Sequence, residues 1–261
     1  MGDKIIYYSE RQVALIRESG RIVAECLALV KEMIKPGVTT RQLDTRVAEH
    51  IKASGAKSPF KGYAFPGKTP FPAAVCASVN DVIVHGLPDD EPLNEGDLVS
   101  MDVGVVKNGY IGDSAWTFPV GETDKAAKLL LKAGEDSLMA GIAAMKPNGV
   151  LGKVSEAIQT LVEERGFSVV REFVGHGVGQ SLHEEPQVRN YVQAGDFLPG
   201  FRVVLKPGMV LAVEPMVNEK GAAVDSSDRD WPVRTADGGR SVHFEHTLAV
   251  MRDRIEILTK L

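Results

Sequence analysis

The feature that most constrains the fold is an internal repeat. A pattern of glycines, apolar residues and acidic residues in the first part of the chain recurs a little more than a hundred residues later. The matched positions include Gly20 with Gly134, Gly55 with Gly166, and Asp102 with Glu214. Similarity at a fixed offset is typical of duplicated structural units. Chance would explain two similar sets of amphipathic helices, but it does not explain acidic residues that fall at corresponding places in apolar runs.

Each copy is predicted to begin with two helices and to continue as strands. The first helix stops at Pro36-Gly37, and the second starts with Thr39 or Thr40 as its N-cap. A loop rich in Pro, Gly and aromatic residues is expected at 58–72. The other predicted elements are helices at 9–35, at 125–145 and through Val154, Ile158 and Val162, and strands at 73–85, 97–106 and 110–120.

This order of elements predicts an α+β fold with two related halves, about 1–122 and 123–261, in a single domain over 1–261. The strands of both halves are expected to join into one antiparallel sheet with the helices on its outer face. A functional site would then lie on the concave face of the sheet, between the halves.

Composition excludes several other classes of protein. The net charge of −5 gives no bulk electrostatic reason to bind nucleic acid or an anionic membrane. Two cysteines, Cys26 and Cys76, make no disulfide framework and fit a reducing compartment. We find neither a signal-peptide core nor an apolar run long enough to span a bilayer, so we expect cytoplasmic residence.

The dipeptide Asn108-Gly109 predicts a tight hairpin and, with it, the position of two carboxylates. With these turn residues, Gly104 faces Asp113, and Asp102 lies on the same face as both. The carboxylates become diagonal neighbours, and they repel each other unless something positive lies between them. Asp113 alone could instead form a hydrogen bond with the backbone of its own turn. That alternative does not account for Asp102, which lies in the middle of an apolar strand.

The second copy supplies further candidate ligands. Glu214 and Glu245 are acids within apolar runs, and the glycine-rich segment 171–186 carries His176 and His183. Each alone could be an exposed strand residue, an ion-pair partner or a surface-loop histidine. As a set they suit Mn²⁺, Fe²⁺, Co²⁺ or Zn²⁺ at a catalytic site. Four carboxylates exceed the needs of one ion, which favours two metals about 3.5–4 Å apart.

Five motifs occur in order along almost the whole chain. They are AVCASVNDVIVHGLP (74–88), GDLVSMDVGVVKNGYIGDSAWTF (96–118), GHGVGQSLHEEP (175–186), LKPGMVLAVEPM (205–216) and FEHTLAV (244–250). Together they resemble the type I methionine aminopeptidases, which are metallopeptidases of the pita-bread (creatinase/aminopeptidase) fold. The resemblance implies a pseudo-twofold arrangement of the halves and a single catalytic domain.

The resemblance also implies a dinuclear metal site. Its ligands would be Asp102, Asp113, His176, Glu214 and Glu245, with Asp113 and Glu245 shared by both divalent ions (Co, Mn, Fe, Zn or similar). Glu214 would also move the proton of the attacking water. A monovalent cation would lie near Asn80, Val82 and Ser241.

The remaining implied site residues contact the substrate. His85 and His183 would bind the peptide and assist catalysis, and Cys76 and Trp231 would line the pocket for the methionine side chain. The reaction would be removal of the initiator methionine from nascent proteins and peptides with a small second residue. We expect a monomer, with the ribosome as a further partner to test, and neither membrane association nor direct binding of nucleic acid.

Two rival functions stay open on the sequence alone. One is a proline-specific pita-bread aminopeptidase or dipeptidase, and the other is a relative that has lost catalysis and serves as an adaptor. Adaptors of that kind usually lose metal ligands, whereas all five are present here. The ligand set accepts several ions, so it does not name the native metal.

Overall fold

The computed structural model describes residues 4–64, 69–193, 201–226 and 231–260. The first copy contains α1 (Glu10–Met33), α2 (Thr40–Ala53), β1 (Cys76–Val79), β2 (Val82–Val84), β3 (Leu98–Lys107) and β4 (Tyr110–Pro119). The second copy begins with α3 (Lys125–Ala144) and α4 (Gly152–Glu164). Its strands are β5 (Ser168–Val169), β6 (Gly175–Gly177), β7 (Glu184–Val188), β8 (Val210–Val213), β9 (Met216–Asn218), β10 (Val224–Asp225), β11 (Val233–Thr235), β12 (Ser241–His243), β13 (His246–Val250) and β14 (Ile255–Ile257).

The helices begin where the sequence predicts them. Ser9 and Thr39 are the N-caps of α1 and α2, and each forms a capping box with a glutamine three residues later. Asp124 caps α3 by accepting from the backbone N–H of Ala127. Two helices followed by strands therefore occur in both copies, although the boundary between the halves near residue 122 stays a prediction.

The β3–β4 hairpin has the predicted register. Asn108 and Gly109 have φ angles of +53° and +78°, as a turn of the type I′ class requires. Gly104 pairs with Asp113, and Asp102 pairs with Ala115. The alternation of strand side chains consequently directs both carboxylates to one face.

The predicted strand 73–85 is instead two strands, β1 and β2. The break is at Asn80, whose φ of +53° interrupts the extended backbone. The Asn80 side chain accepts from the backbone N–H of Leu98 and donates to Asp97, which stabilises the turn. Asparagine tolerates this left-handed conformation, so the break has a local physical cause.

The strands do not form one continuous ladder, which differs from the expectation of a single sheet. The ladders run in the orders β1-β3-β4, β10-β11-β2, β12-β9-β5 and β14-β13-β8-β6-β7. The two copies meet where the backbone N–H of Glu245 donates to the carbonyl of Ala115 at 2.8 Å. This contact brings the acidic strands of both copies to a common region.

Helices cover the sheets closely at two corresponding glycines. A Cβ atom on Gly20 of α1 would lie 2.3 Å from the carbonyl oxygen of Leu258. A Cβ on Gly134 of α3 would lie 2.6 Å from the ring of Phe244. The glycines thus let each helix approach the sheet, and the face opposite the helices is left for a site.

Two further observations bear on the sequence-based expectations. In the predicted loop 58–72, the described residues contain neither helix nor strand, and 65–68 lie outside the described residues. Among the described helices, none is both long and apolar enough to cross a membrane.

Candidate metal centre and adjoining pocket

Strands of both copies contribute to one cluster of acids. Asp102 is on β3, Asp113 on β4 and His176 on β6. Glu214 directly follows β8, and Glu245 lies between β12 and β13. The five side chains line a single cavity of about 370 Å³. Charged groups are rarely buried in this way unless they are paired or bind an ion.

The ligand-type atoms of the cluster converge. Asp113, His176 and Glu245 each offer one atom, and these three atoms lie within 4.8 Å of one another. Nε2 of His176 is 3.3 Å from Oε1 of Glu214, and Asp102 is close enough to Asp113 for its charge to raise the pKa of Asp113. Side chains that are far apart in sequence thus meet at one point, as a metal site requires.

Three carboxylate oxygens in this cluster lack hydrogen-bond partners among the described residues. They are Oδ1 of Asp102, Oδ1 of Asp113 and Oε1 of Glu245, and all three are buried. A buried acceptor without a partner costs about 1–3 kcal/mol, and more if it is charged. Inward-facing oxygens of this kind fit divalent cations, which would satisfy them.

The acids repel each other in the absence of a cation. Burial raises the pKa of Asp102 to about 8, and the charge of Glu214 contributes to the rise. The pKa values of Asp113, Glu214 and Glu245 are also raised well above their usual range, first by burial and then by neighbouring carboxylates. Positive charge at this point would relieve both effects.

His176 is held in the tautomer that a metal ligand needs. Its Nδ1–H donates to the carbonyl oxygen of Gly177 at 2.9 Å, which leaves the lone pair of Nε2 directed towards Glu214. Burial, together with the nearby ring of His183, lowers the pKa of His176 to about 3. The imidazole is therefore neutral at pH 7 and available as a ligand.

Backbone contacts orient the two glutamates. The side-chain amide of Asn190 donates to the carbonyl oxygen of Glu214 at 3.0 Å. The hydroxyl of Ser114, next to Asp113 on β4, donates to the carbonyl oxygen of Glu245. Because Asn190 and Ser114 hold their backbones, the two acids reach the cavity from well-defined positions.

His243 also reaches the cluster, although the sequence suggested no role for it. Its Nε2 is buried and lies 3.5 Å from Oε2 of Glu214. Burial and the rings of His85 and His176 lower the pKa of His243 to about 3. The available signal was strand alternation, which places His243 on the same face as Glu245.

The rest of the cavity is largely apolar. Its wall includes the predicted pocket residues Cys76 and Trp231, together with Phe60, Tyr63, Phe71, Val84, Phe173 and Leu182. The rings of Phe71 and Trp231 meet edge to face with centroids 5.2 Å apart. Burial and neighbouring acids raise the pKa of Cys76, which keeps it a neutral thiol. A small apolar side chain therefore fits beside the acids.

His85 and His183 flank this pocket from opposite copies. His85 directly follows β2, has a φ of +59° and packs against the rings of Phe173 and Trp231 at 5.5 and 6.0 Å. The ring of His183 is 4.5 Å from that of His176, and its Nδ1 is 2.9 Å from the hydroxyl of Tyr63. Partial burial of the imidazole lowers the pKa of His183.

The predicted monovalent cation site is compact. The backbone N–H of Ser241 donates to the carbonyl oxygen of Asn80 at 2.8 Å, so these residues are direct neighbours, and Val82 is the first residue of β2. Cation binding by these residues stays a prediction.

Comparison with known proteins agrees with this geometry. Residues 14–252 match the model of metallopeptidase family M24. The chain is 47% identical to methionine aminopeptidase 1 of Bacillus subtilis, over 98% of this chain and all of the relative. It is 42% identical to methionine aminopeptidase A of Synechocystis, with 99% of both chains covered.

Solved structures confirm the predicted fold. The crystal structure of methionine aminopeptidase from Thermotoga maritima matches with a TM-score of 0.92 and 42% identity, over 99% of this chain and all of that one. Prolidase from Pyrococcus furiosus, at 20% identity and a TM-score of 0.75, shares the fold over 98% of this chain and 66% of its own. The chain belongs to metallopeptidase family M24, among its type I methionine aminopeptidases.

Proposed function

We propose that this chain removes the initiator methionine from nascent proteins and peptides whose second residue is small. The observation that carries the proposal is the cavity itself, where buried acids with partnerless oxygens adjoin an apolar pocket. A hydrolytic centre would act on the peptide bond while the pocket holds the first side chain. The peptide N-terminus is thus the substrate.

The chain uses divalent metal, and we assign two ions, such as Co, Mn, Fe or Zn, to one ligand set. The residues that would hold them are Asp102, Asp113, His176, Glu214 and Glu245, and Asp113 and Glu245 would serve both ions. When bound, the ions supply positive charge that polarises a peptide carbonyl and makes water more acidic. The partnerless carboxylate oxygens and the free lone pair of His176 support this assignment.

Glu214 is the proposed proton carrier. Its two oxygens lie 3.3 Å from His176 and 3.5 Å from His243, at the edge of the cluster. Burial and the charge of Asp113 raise its pKa, which makes the carboxylate a better proton acceptor than an exposed glutamate. Its position beside the cavity supports transfer of that proton to the leaving amine.

His183 is proposed to bind the carbonyl oxygen of the scissile bond. When the hydroxyl of Tyr63 donates to Nδ1 of His183, the proton of the neutral imidazole lies on Nε2. That Nε2–H can donate to the oxygen as negative charge develops on it. His85, on the opposite side of the pocket, is proposed to contact the scissile amide.

The pocket is proposed to select methionine. Cys76 and Trp231 form part of an apolar wall, and aromatic rings of this kind make favourable contacts with a thioether. The limited volume of the cavity supports an unbranched side chain of moderate length.

Other parts of the proposal concern the setting of the reaction. We infer a single catalytic domain over 1–261 with pseudo-twofold halves, a monomer, a cytoplasmic location and contact with the ribosome. The free buried thiols of Cys26 and Cys76 support a reducing compartment. A monovalent cation near Asn80, Val82 and Ser241 belongs to the same proposal.

The decisive experiment is methionine release by protein that has been stripped of metal and then reloaded with single ions. We expect no release from a Met-Ala-Ser peptide by the stripped protein and recovery with at least one divalent ion. An Xaa-Pro peptide is the matched substrate for the prolidase-like alternative. Release from Xaa-Pro but not from Met-Ala-Ser would overturn the proposal, and inactivity with every ion at full metal occupancy would favour an adaptor.

A further inference from the structure

Tyr8, in the segment before α1, contacts the loop that carries His183. Its hydroxyl lies 2.8 Å and 2.9 Å from the two carboxylate oxygens of Glu184, to which it donates its single proton. The same hydroxyl accepts from the backbone N–H of Gln180 at 3.0 Å. One side chain near the beginning of the chain thus bonds both the loop between β6 and β7, at Gln180, and the first residue of β7, Glu184.

The loop is shaped around this hydroxyl. A Cβ atom at Gly179 would lie 2.1 Å from the oxygen of Tyr8, so only glycine allows the loop to pass so close. Glu184 also accepts from the backbone N–H of Ser181 at 2.9 Å, which closes the loop over the contact. These contacts define a clamp, consisting of Tyr8, Gly179, Gln180 and Glu184.

Tyr8 is itself rigidly placed. It is only 5% exposed, and its backbone N–H donates to the carbonyl oxygen of Gly208 at 2.7 Å. Its ring meets that of Tyr110 edge to face. Burial raises the pKa of Tyr8, so the hydroxyl keeps its proton and remains a donor to Glu184 throughout the neutral range.

His183 directly precedes Glu184, so the clamp fixes its backbone. The His183 ring lies against His176 and its Nδ1 contacts Tyr63, yet the residue as a whole is exposed. A partly buried side chain on an irregular loop still has several accessible positions unless the backbone beside it is held. A displacement of about 1 Å at a catalytic group can lower the rate by as much as about a hundredfold.

We propose that Tyr8 is a positioning residue that acts through Glu184 to keep His183 directed at the scissile carbonyl. The inference rests on the proposed role of His183 and extends it to a residue outside the cavity. If Tyr8 has this role, the segment before α1 contributes to catalysis.

The test is a double-mutant cycle on metal-loaded protein. Tyr8→Phe removes the hydroxyl and keeps the ring, and Tyr7→Phe, at a residue that is 47% exposed, is the matched control. We expect Tyr8→Phe to lower kcat about tenfold with little change in KM, since it weakens a transition-state contact. In a His183→Ala background the same change should lower kcat less than about twofold, because its target is absent.

A purely structural role gives a different result. Equal losses from Tyr8→Phe in both backgrounds, or no loss in the wild-type background, would overturn the proposal. Glu184→Gln keeps an acceptor for Tyr8 and should retain more activity than Glu184→Ala. Thermal melting and metal content of each variant identify any that fail to fold.

An activity-independent readout separates this inference from the proposed function. In protein labelled with nitrogen-15 at histidine, Tyr8→Phe should shift or broaden the His183 imidazole signals, and Tyr7→Phe should not. If wild-type protein released no methionine, the proposed function would fail while this measurement still tested the clamp. Unchanged His183 signals in Tyr8→Phe would reject the clamp even in a fully active enzyme.

Discussion

Thr247 and Asp113 bond each other twice across the two copies of the repeat. The backbone N–H of Asp113 donates to Oγ1 of Thr247 at 3.0 Å, and the Thr247 hydroxyl donates to the carbonyl oxygen of Asp113 at 2.7 Å. Thr117 and His243 are joined in the same reciprocal way. Since Glu245 is two residues before Thr247, these bonds fix the separation of Asp113 and Glu245.

Thr247→Val should therefore weaken metal binding without removing any ligand. The substitution keeps the shape of the side chain but leaves the buried N–H and C=O of Asp113 without their partner, at about 1–3 kcal/mol each. We expect metal affinity to fall about 10–100-fold, as for other groups that orient ligands. Calorimetric titration of the stripped protein measures it.

The matched control is Thr45→Val on α2, where the hydroxyl donates only to the carbonyl oxygen of Arg41 on an exposed turn. This variant should bind metal as the wild-type chain does. Equal affinity of Thr247→Val and Thr45→Val would show that the reciprocal bonds do not position the ligands.

Some of this arrangement could be predicted from the sequence, because local rules determine it. Asn108-Gly109 selects one hairpin turn, and that turn sets the register which brings Asp102 and Asp113 to one face. Helix N-caps follow from Ser and Thr for similarly local reasons. Acids within apolar runs and the glycine-rich segment indicated the other candidate ligands, and the family resemblance then implied which of them form one set.

The remaining features depend on packing between segments that are far apart in sequence. Tyr8 meets Glu184 across most of the chain, and Tyr63 meets His183 across more than a hundred residues. His243 reaches Glu214 only because separate strands converge. Strand alternation places His243 on the face of Glu245, but neither periodicity nor turn chemistry encodes its contact with Glu214. The clamp, likewise, became visible only in the structure.

Glu214→Gln should abolish methionine release and leave the fold intact. The amide is nearly the same shape but cannot accept and release a proton, so a loss of at least about a hundredfold in kcat is expected. The value of kcat is measured from methionine release at full metal occupancy. Glu164→Gln, on the exposed end of α4, is the control. Near-normal turnover of fully loaded Glu214→Gln would remove this residue from proton transfer.

Metal binding should release protons near neutral pH. The pKa of Asp102 in the metal-free chain is raised to about 8, so its carboxyl is largely protonated at pH 7, whereas a ligand must be deprotonated. Apparent affinity should therefore fall as the pH falls below about 8. His176, with a pKa lowered to about 3, is already neutral and releases no proton.

Calorimetry in buffers of different ionisation enthalpy counts the released protons. At pH 7 we expect net release by the wild-type chain and a smaller release by Asp102→Asn, which has no carboxyl at that position. Binding without proton release, or with equal release by both proteins, would contradict the raised pKa of Asp102.

Gly20→Ala should destabilise the fold although alanine favours helices. The new methyl group would lie 2.3 Å from the backbone oxygen of Leu258, which cannot move without shifting the C-terminal segment. Overpacking of this kind costs about 1–3 kcal/mol, and more when backbone must shift, against a gain of up to about 1 kcal/mol in helix propensity. Gly141 on α3 is the control, since its Cβ would meet side chains and not backbone, namely Ile158 at 2.9 Å and Val154 at 3.3 Å. Urea unfolding should show a lower midpoint for Gly20→Ala and a nearly unchanged one for Gly141→Ala, and equal midpoints would mean that α1 does not need its close approach to the sheet.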